Sequence, residues 1–300
     1  MFSTPEVMAG SRHPAHARRV EFVREKIDGS ACGVVEKPLT AWERIYNISA
    51  LRKIFILLAL AALWQAYAVW LGKSLLFPTF GATVAALWQG IESGELLQRT
   101  WHSISVLLIG YACGIALAAL LTMAAISTRI GNDFLETMTA MLNPLPAIAL
   151  LPLALIWFGL GSASLVFVLI HSVLWPVALN THSGFLSVSN TMRMVGRNAG
   201  LEGMRYVAAI LIPAAFGSIL TGLKIGWAFS WRTLIAAELV FGVSSGSGGL
   251  GWFIYVSKND LEIANVFAGL FTVILIGLFV ENVIFRSMEL RTVRRWGMQS

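Results

Sequence analysis

Residues 190–213, NTMRMVGRNAGLEGMRYVAAILIP, interrupt a very apolar chain with three arginines, one glutamate and several glycines. Asn190 is a residue type that caps helices through its side-chain oxygen, so a short helix is predicted over residues 191–199. Gly200 then allows a turn, and a second helical piece over residues 201–210 continues into the next apolar segment. Arginine beside methionine and leucine is typical of a protein contact surface. The stretch therefore predicts a protruding elbow that needs a partner.

The composition indicates a membrane protein. The 300 residues are 57% hydrophobic and 13% charged, whereas an ordinary soluble domain is about 25% charged. A membrane-spanning helix needs roughly 20 mostly apolar residues. Windows of about that length without charges lie at residues 54–71, 103–128 and 263–280. Residues 206–223 open another, which continues to about residue 241 with only Lys224, Arg232 and Glu238 as interruptions. Residues 137–192 contain no Asp, Glu, Lys or Arg and are divided by GLGSAS at 159–164, which predicts two further spans. The predicted fold class is all-α with six transmembrane helices.

The distribution of Lys and Arg predicts the orientation of these spans, because basic residues concentrate in cytoplasmic loops. If the N-terminus is cytoplasmic, most Lys and Arg residues of the loops and tails fall on the cytoplasmic side. Only Lys73, Arg99 and Lys258 fall in loops on the opposite side of the membrane. Both termini and the elbow are therefore predicted to be cytoplasmic. The formal charge of +6 then reflects topology and contact with anionic lipid, so nucleic acid is not an expected partner.

Three parts make up the predicted domain organisation. Residues 1–50 form a cytoplasmic tail, residues 51–290 form the transmembrane domain with the elbow near residues 189–206, and residues 291–300 form a second cytoplasmic tail. Residues 16–27, HARRVEFVREKI, mix apolar and charged side chains as an interfacial helix does. A solvated extension explains them equally well.

Ionisable residues inside the spans indicate a route for a polar cargo, because they are costly in lipid and usually face a cavity. The candidate pathway residues are His171, Lys224, Trp227, Trp231, Arg232 and Glu238. At 100° per residue, Lys224, Trp227, Trp231 and Glu238 lie within one arc of the helical surface of the fifth span. Arg232 lies outside that arc. Structural alternatives stay open: Lys224 extends to the membrane surface, or Arg232 and Glu238 form ion pairs with other helices. His171, which shares a face with His182 three turns away, has a packing role as its alternative.

The third span, within residues 142–161, is punctuated by Pro144, Pro146 and Pro152. Each internal proline removes a backbone hydrogen bond and kinks a helix. In lipid such breaks survive where neighbouring helices or a wet cavity satisfy the freed carbonyls. This span is therefore predicted to pack inside the bundle or to line a path.

The sequence lacks the residues that nucleotide binding, metal binding and enzymatic catalysis require. Glycines at 246, 248 and 251 match a dinucleotide-binding pattern, but that pattern requires a preceding strand in a soluble unit. Here they predict a bend that lets residues 250–255 return to the bundle. The sequence has no phosphate-binding loop, no zinc-binding motif and no nucleophile paired with a base. The chain is therefore predicted not to be an enzyme and to bind no metal and no cofactor itself.

The elbow resembles the cytoplasmic loop of the permeases of bacterial ABC importers. That loop carries Glu-Ala-Ala, three residues, Gly, nine residues, Ile, one residue and Leu-Pro. Gly200, Ile210 and Pro213 stand at those spacings here, with Ile212 for the leucine and MVG at 194–196 for Glu-Ala-Ala. The segments that resemble the nitrate, sulfonate and taurine branch are LNPLPAIALLPLALIWFGLG (142–161), TGLKIGWAFSWRTLIAAEL (221–239) and GGLGWFI (248–254). The resemblance covers residues 54–296.

This resemblance implies a type I ABC importer permease fold in the bacterial plasma membrane. It implies an assembly with two ATPase subunits, a second permease copy in a homodimer and a periplasmic binding protein, in which ATP and Mg²⁺ are used by the ATPase. The residues placed at the ATPase contact are Arg193, Met194, Arg197, Gly200, Leu201, Glu202 and Arg205. Either Arg193 or Arg197 then replaces the family's glutamate. The expected cargo is a small anion, with taurine or an alkanesulfonate ahead of nitrate, bicarbonate or an aromatic acid. An ion-coupled secondary transporter or channel without an ATPase is the alternative.

Overall fold

The computed structural model describes residues 47–241 and 248–292, and within these ranges every regular element is a helix. The chain divides into two compact units, residues 1–57 and 58–300. In the first unit the structure describes residues 47–57, where helix α1 (Ser49–Leu71) begins. Most of both predicted tails, including the proposed interfacial helix, lies outside the described residues.

The remaining helices follow one another with short connections. They are α2 (Phe80–Glu92), α3 (Glu95–Ser127), α4 (Arg129–Leu142), α5 (Leu151–Phe158), α6 (Ser162–Leu186), α7 (Asn190–Asn198), α8 (Gly203–Tyr206), α9 (Ile212–Ala214), α10 (Phe216–Phe241), α11 (Leu250–Asn259), α12 (Ile263–Phe279) and α13 (Arg286–Arg291). A 3-10 turn, Ala147–Leu150, precedes α5. Segments of π-helix join α8 to α9 (Val207–Leu211) and α12 to α13 (Val280–Phe285).

Six segments of the described chain have the length and composition to cross a bilayer. Four are continuous: Ser49–Leu71, Glu95–Ser127, Ser162–Leu186 and Ile263–Arg291. Two are bent pairs: Arg129–Leu142 with Ala147–Phe158, at 90°, and Gly203–Ala214 with Phe216–Val240, at 77°. The prediction of an all-α protein with six spans is confirmed when each bent pair counts as one span. The orientation of the termini stays a prediction.

Capping threonines start two of the helices. The backbone N–H of Ala82 donates to Thr79 Oγ1 at 3.1 Å before α2, and that of Gly131 donates to Thr128 Oγ1 at 2.9 Å before α4. Each bond satisfies one of the N–H groups that a helix leaves unpaired in its first turn. Thr128 therefore marks the point where α3 ends and the broken span begins.

Helix α6 is the centre of the bundle, and 61% of the residues in its most apolar 18-residue stretch are buried. It packs along α3 on one side and α10 on another. Glycine permits the close approach of α3: a Cβ on Gly110 would lie 2.5 Å from Leu169 Cβ, and one on Gly114 would lie 2.7 Å from Val173 Cβ. Small residues at helix crossings are the usual means of close packing within membranes. This packing brings α6 and α10 side by side at the site described next.

Candidate functional site

The break in the third span creates a cavity. Pro144 and Pro146 lack a backbone N–H and cannot continue the hydrogen-bonded ladder of α4, and the chain turns by 90°. Pro152 instead falls in the first turn of α5, where proline is tolerated. The irregular backbone of residues 143–146 is one wall of a cavity of about 360 Å³, which we call the central cavity.

Three segments line the central cavity. They contribute Asn143, Pro144, Leu145, Pro146, Ala147 and Ile148 from the break, His171, Ser172, Trp175 and Pro176 from α6, and Phe229, Arg232, Thr233 and Ala236 from α10. Ser172 Oγ donates to Thr233 Oγ1 at 3.2 Å and so joins the two helices. His171 and Arg232 were predicted from the sequence. Trp175 and Phe229 were not, because aromatic residues within a span are usually packing residues.

Arg232 is the cation of the central cavity. Its Nε donates to the carbonyl of Ala228 at 3.0 Å, and its guanidinium carbon lies 5.5 Å from the ring centroid of Phe229. Across residues 47–241 and 248–292 no carboxylate forms an ion pair with it. The predicted alternative of an Arg232 ion pair is thus not found within these residues. An unpaired cation beside a partly enclosed cavity is an arrangement that attracts anions.

His171 and Trp175 supply polar atoms without protein partners. Both ring nitrogens of His171 and Nε1 of Trp175 are buried and form no hydrogen bond. Their ring centroids are 6.1 Å apart, with the planes at 71°. Buried polar groups in proteins are nearly always paired, and an indole nitrogen is always a donor. These two side chains therefore keep unmet hydrogen-bonding capacity at the wall of the central cavity.

A second cavity of about 310 Å³ adjoins the first and shares Asn143 and Pro144 with it. It reaches His182, which lies eleven residues after His171 on α6, or about 16 Å along the axis. The hydroxyl of Thr139 in this cavity is buried and unpaired. The two histidines thus line neighbouring cavities along one side of α6, consistent with the shared face predicted from the sequence.

The other candidate pathway residues lie outside both cavities. Lys224 Nζ pairs with Glu289 Oε2 of α13 at 2.6 Å. Trp227 stacks edge-on against Tyr111, with centroids 5.5 Å apart, and Trp231 Nε1 donates to the carbonyl of Val273 at 3.3 Å. The face of α10 that carries these side chains packs on α3, α12 and α13, while Arg232 lies on the cavity side. A pathway role for Lys224, Trp227, Trp231 and Glu238 stays a prediction.

Glu238 caps another helix from within the bundle. It is fully buried, and its carboxylate accepts hydrogen bonds from Ser103 Oγ at 2.9 Å and from the N–H of Gly251 at 2.8 Å. Ser103 Oγ in turn accepts from the N–H of Leu250 at 2.8 Å. These amides are the first of α11, the end of a helix that favours negative charge. Glu238 is paired with the amide of Gly251 and the hydroxyl of Ser103 rather than with a cation of the described chain.

Glycine makes this capping contact possible. A Cβ on Gly249 would lie 2.2 Å from Glu238 Oε1, and one on Gly251 would lie 2.6 Å from Glu238 Cβ. The sequence predicted that these glycines let residues 250–255 return to the bundle, and α11 does pack on α10, α3 and α12. The sequence did not indicate that Glu238 would contact these glycines, because Glu238 is a dozen residues away along the chain. Gly246 lies outside the described residues.

The elbow consists of α7, Gly200 and α8. Ser189, not Asn190, caps α7: its Oγ accepts from the N–H of Met192 at 3.4 Å. The expected cap was wrong by one residue because the extended backbone that a cap requires falls on Ser189. Gly200 has a φ of 68°, a left-handed conformation that glycine adopts without strain, as the predicted turn required.

The residues predicted to contact an ATPase divide into two groups. Those at or near the surface are Met194, Arg197, Gly200, Leu201, Glu202 and Arg205, of which only Leu201 is half-buried. Met192, Met194, Val195 and Met204 are between 49% and 70% exposed. Arg193 forms the second group, because its guanidinium donates to the carbonyl of Phe185, in the last turn of α6, and to that of Val188, just beyond it. The elbow therefore presents an apolar and basic surface without Arg193.

Broken membrane-spanning helices around a cavity with an unpaired arginine, and an exposed elbow between the fourth and fifth spans, are the features of a polytopic membrane permease. The chain belongs to the family of binding-protein-dependent transport system inner membrane components, whose model matches residues 110–290. That range includes both cavities and the elbow. The predicted resemblance to ABC importer permeases is thereby confirmed, and the chain is a multi-pass protein of the inner membrane.

Individual relatives cover most of the chain. A putative ABC transporter permease protein of Methanocaldococcus jannaschii is 30% identical over 224 residues, 73% of this chain and 83% of the relative. The putative aliphatic sulfonates transport permease protein SsuC of Escherichia coli is 30% identical over 229 residues, 76% of this chain and 85% of the relative. The nitrate import permease protein NrtB of Synechocystis is 27% identical over 248 residues, 80% of this chain and 88% of the relative.

Proposed function

We propose that this chain is the membrane subunit of an ATP-driven importer of a small anion. Taurine or another alkanesulfonate is the favoured cargo, ahead of nitrate, bicarbonate or an aromatic acid. The names of two relatives support an anion, since one is described as a permease for aliphatic sulfonates and the other for nitrate.

The observation that carries the proposal is the unpaired Arg232 in the central cavity. A sulfonate or carboxylate there gains charge-assisted hydrogen bonds from the guanidinium and from the ring N–H groups of His171 and Trp175. Phe229, Pro144 and Ile148 provide an apolar wall, which suits the carbon chain of an organic anion better than a small hydrated inorganic ion.

Transport in this proposal depends on partners. Two ATPase subunits bind ATP and Mg²⁺, a second copy of this chain completes the pathway, and a periplasmic binding protein delivers the anion; this chain itself binds no cofactor. The exposed methionines and arginines of the elbow support the ATPase contact, because apolar residues beside arginine are enriched in protein interfaces.

The pathway opens alternately to the two sides of the membrane. ATP binding moves the elbow, and α6 and α10 move with it, because three residues join α6 to α7 and the largely helical residues 207–215 join α8 to α10. A ligand or partner shifts such an equilibrium only by the difference in its affinity for the two states. The 90° and 77° bends are the places where the two broken spans can flex.

Reconstitution tests the proposal. The permease is assembled with its ATPase and binding protein in vesicles, and ATP turnover and uptake are measured with taurine, an alkanesulfonate and nitrate as separate probes. Stimulated turnover and ATP-dependent uptake of at least one probe are expected. Uptake driven by a membrane potential without ATP, by the permease alone, would establish the secondary-transporter alternative and reject the importer.

A further inference from the structure

Arg193 is the one arginine of the elbow whose side chain folds back onto the bundle. Its Nη2 donates to the carbonyl of Phe185 at 2.6 Å, and its Nε donates to the carbonyl of Val188 at 3.1 Å. Arg197 and Arg205 are exposed, and no hydrogen bond or ion pair holds either of them within residues 47–241 and 248–292. One turn of helix therefore separates an arginine held by the protein from an arginine open to a partner.

One carbonyl that Arg193 contacts, that of Phe185, belongs to the last turn of α6, and the other, that of Val188, lies two residues beyond its end. The last carbonyls of a helix have no partner within the helix, and the helix dipole favours a cation at this end. The last turn of α6 contains no basic residue of its own. Arg193 thus supplies from α7 the capping cation that α6 lacks.

This contact fixes an angle that the chain alone leaves free. Only Ser187, Val188 and Ser189 connect α6 to α7, which sets the distance between the helices but not their orientation. Hydrogen bonds from one planar guanidinium to the carbonyl of Phe185, before the connection, and to that of Val188, within it, restrain that orientation. A push on α7 is then transmitted to α6 instead of being absorbed by a bend at residues 187–189.

The face of α7 that carries Arg193 is also held by packing, because Gly196, three residues on, lies close to it on the helix surface. A Cβ on Gly196 would lie 2.9 Å from both Tyr206 and Ile210, so α7 is in tight contact with the start of the fifth span. Phe185 and Val188 are buried with Val207 in the same apolar cluster. The elbow is thus attached to α6 through Arg193 and to the fifth span through packing.

We propose that Arg193 is a positioning residue that couples the elbow to α6, and that it does not bind the ATPase. The inference rests on the proposed function, because it requires an ATPase that displaces the elbow. Displacement at Arg193 reaches Trp175, ten residues before Phe185 or about 15 Å along α6, and so changes the central cavity. Of the two arginines that the sequence suggested for ATPase docking, Arg197 contacts the ATPase and Arg193 couples the elbow to α6.

The test uses the complete complex of permease and ATPase and needs no transported ligand. Spin labels are attached at Leu186→Cys, at the exposed end of α6, and at Ile130→Cys, at the exposed start of α4, after removal of the native cysteines. Co-purification measures ATPase binding, and pulsed electron paramagnetic resonance measures the distance between the labels with and without ATP and Mg²⁺. The variants are Arg193→Ala, Arg193→Lys and, as a matched control on the same helix, Arg197→Ala.

In the wild type we expect a nucleotide-dependent shift of the label distance. Arg193→Ala should bind the ATPase at wild-type yield but lose that shift, and Arg193→Lys, which keeps the charge and one donor, should retain part of it. Arg197→Ala should lower ATPase binding and leave the shift intact in the complexes that form.

Two results overturn the inference: an unchanged shift in Arg193→Ala, or a loss of ATPase binding as large as that of Arg197→Ala. If Arg193→Ala fails to fold, Arg193→Lys decides by the same two criteria. A wild-type permease that binds no ATPase refutes the proposed function, and the coupling role with it, whereas a wild-type complex that binds and shifts leaves only Arg193 in question.

Discussion

The backbone N–H of Gly251 donates a hydrogen bond to the carboxylate of Glu238 at 2.8 Å, so a side chain of α10 caps the start of α11. Ser103 of α3 donates to the same carboxylate. Three helices therefore meet at one buried carboxyl group, which accepts hydrogen bonds from the amide of Gly251 and the hydroxyl of Ser103. This junction holds α11, which at ten residues is too short to cross the bilayer, against the bundle.

Glu238→Ala should lower the stability of the permease. The substitution leaves the buried N–H of Gly251 without an acceptor, at a cost of about 1–3 kcal/mol. Glu238→Gln, which keeps an acceptor oxygen, should have a stability between those of the wild type and Glu238→Ala. Thermal unfolding of the purified protein in detergent, followed by circular dichroism, measures the effect. Glu92→Ala on the exposed side of α2 is the control, and an unfolding midpoint of Glu238→Ala equal to that of the control would contradict the capping role.

Gly251→Ala should also destabilise the protein, for a steric reason. The added Cβ would lie 2.6 Å from Glu238 Cβ and 2.8 Å from the carbonyl of Ile235, and overpacking of this kind costs about 1–3 kcal/mol. The matched control is Gly81→Ala in α2, where nothing lies within 4 Å of the new atom. That control should be neutral or more stable by up to about 1 kcal/mol, because alanine favours the helix. Equal unfolding midpoints for the two variants would rule out the close approach.

Arg232→Ala should impair anion uptake more than Lys224→Ala does. Arg232 lines the central cavity without a carboxylate partner, whereas Lys224 is paired with Glu289 outside it. Loss of a hydrogen bond to a charged group costs about 1.5–3 kcal/mol, roughly tenfold to a hundredfold in apparent affinity. Uptake by the reconstituted importer, with whichever probe anion stimulates the wild type, measures the difference. An equal loss in both variants would place the pathway on the Lys224 face of α10.

Trp175→Phe should raise the anion concentration needed for half-maximal uptake. The change removes the unpaired Nε1 donor but keeps an aromatic ring, so the loss reports the hydrogen bond, again about 1.5–3 kcal/mol for a charged ligand. Trp157→Phe, at a side chain that is 58% exposed, is the control. Concentration dependence of uptake that is the same for both variants would show that Trp175 does not contact the cargo.

Arg197→Glu should reduce co-purification of the ATPase. Arg197 is exposed on α7 beside the exposed Met194, and reversing a charge at the rim of an interface weakens association, most at low salt. Arg129→Glu, which makes the same change of charge at the exposed start of α4, should bind the ATPase normally. A normal yield of complex with Arg197→Glu at low ionic strength would argue against a docking role for this side of the elbow.

The spans and their breaks were predictable from the sequence. A bilayer requires about 20 apolar residues and internal pairing of every backbone group, so length, charge and proline decide where a span lies and where it breaks. The glycine elbow was predictable for a similar local reason, because Gly200 adopts a left-handed φ of 68°. These features depend on residues that are close together in the chain.

The face of α10 that meets the cavity was not predictable. Helical periodicity gives the angle between Lys224, Trp231 and Glu238 but not the neighbour that each side chain meets, and a stripe of charged and aromatic residues fits a cavity wall or a packed interface equally well. In the structure Lys224, Trp231 and Glu238 pair with groups of neighbouring helices, and Arg232 lines the central cavity. Trp175 was missed because its free N–H depends on the absence of an acceptor on neighbouring helices.

The sequence by itself determined the membrane class, the six spans, the elbow and the family, because each follows from composition or from spacing within one segment. Only the tertiary structure decided that Arg193 caps α6, that Glu238 caps α11 and that Arg232 lines the central cavity. Each of these assignments depends on which helices pack together, and the free energy of that packing is shared among segments far apart in the chain.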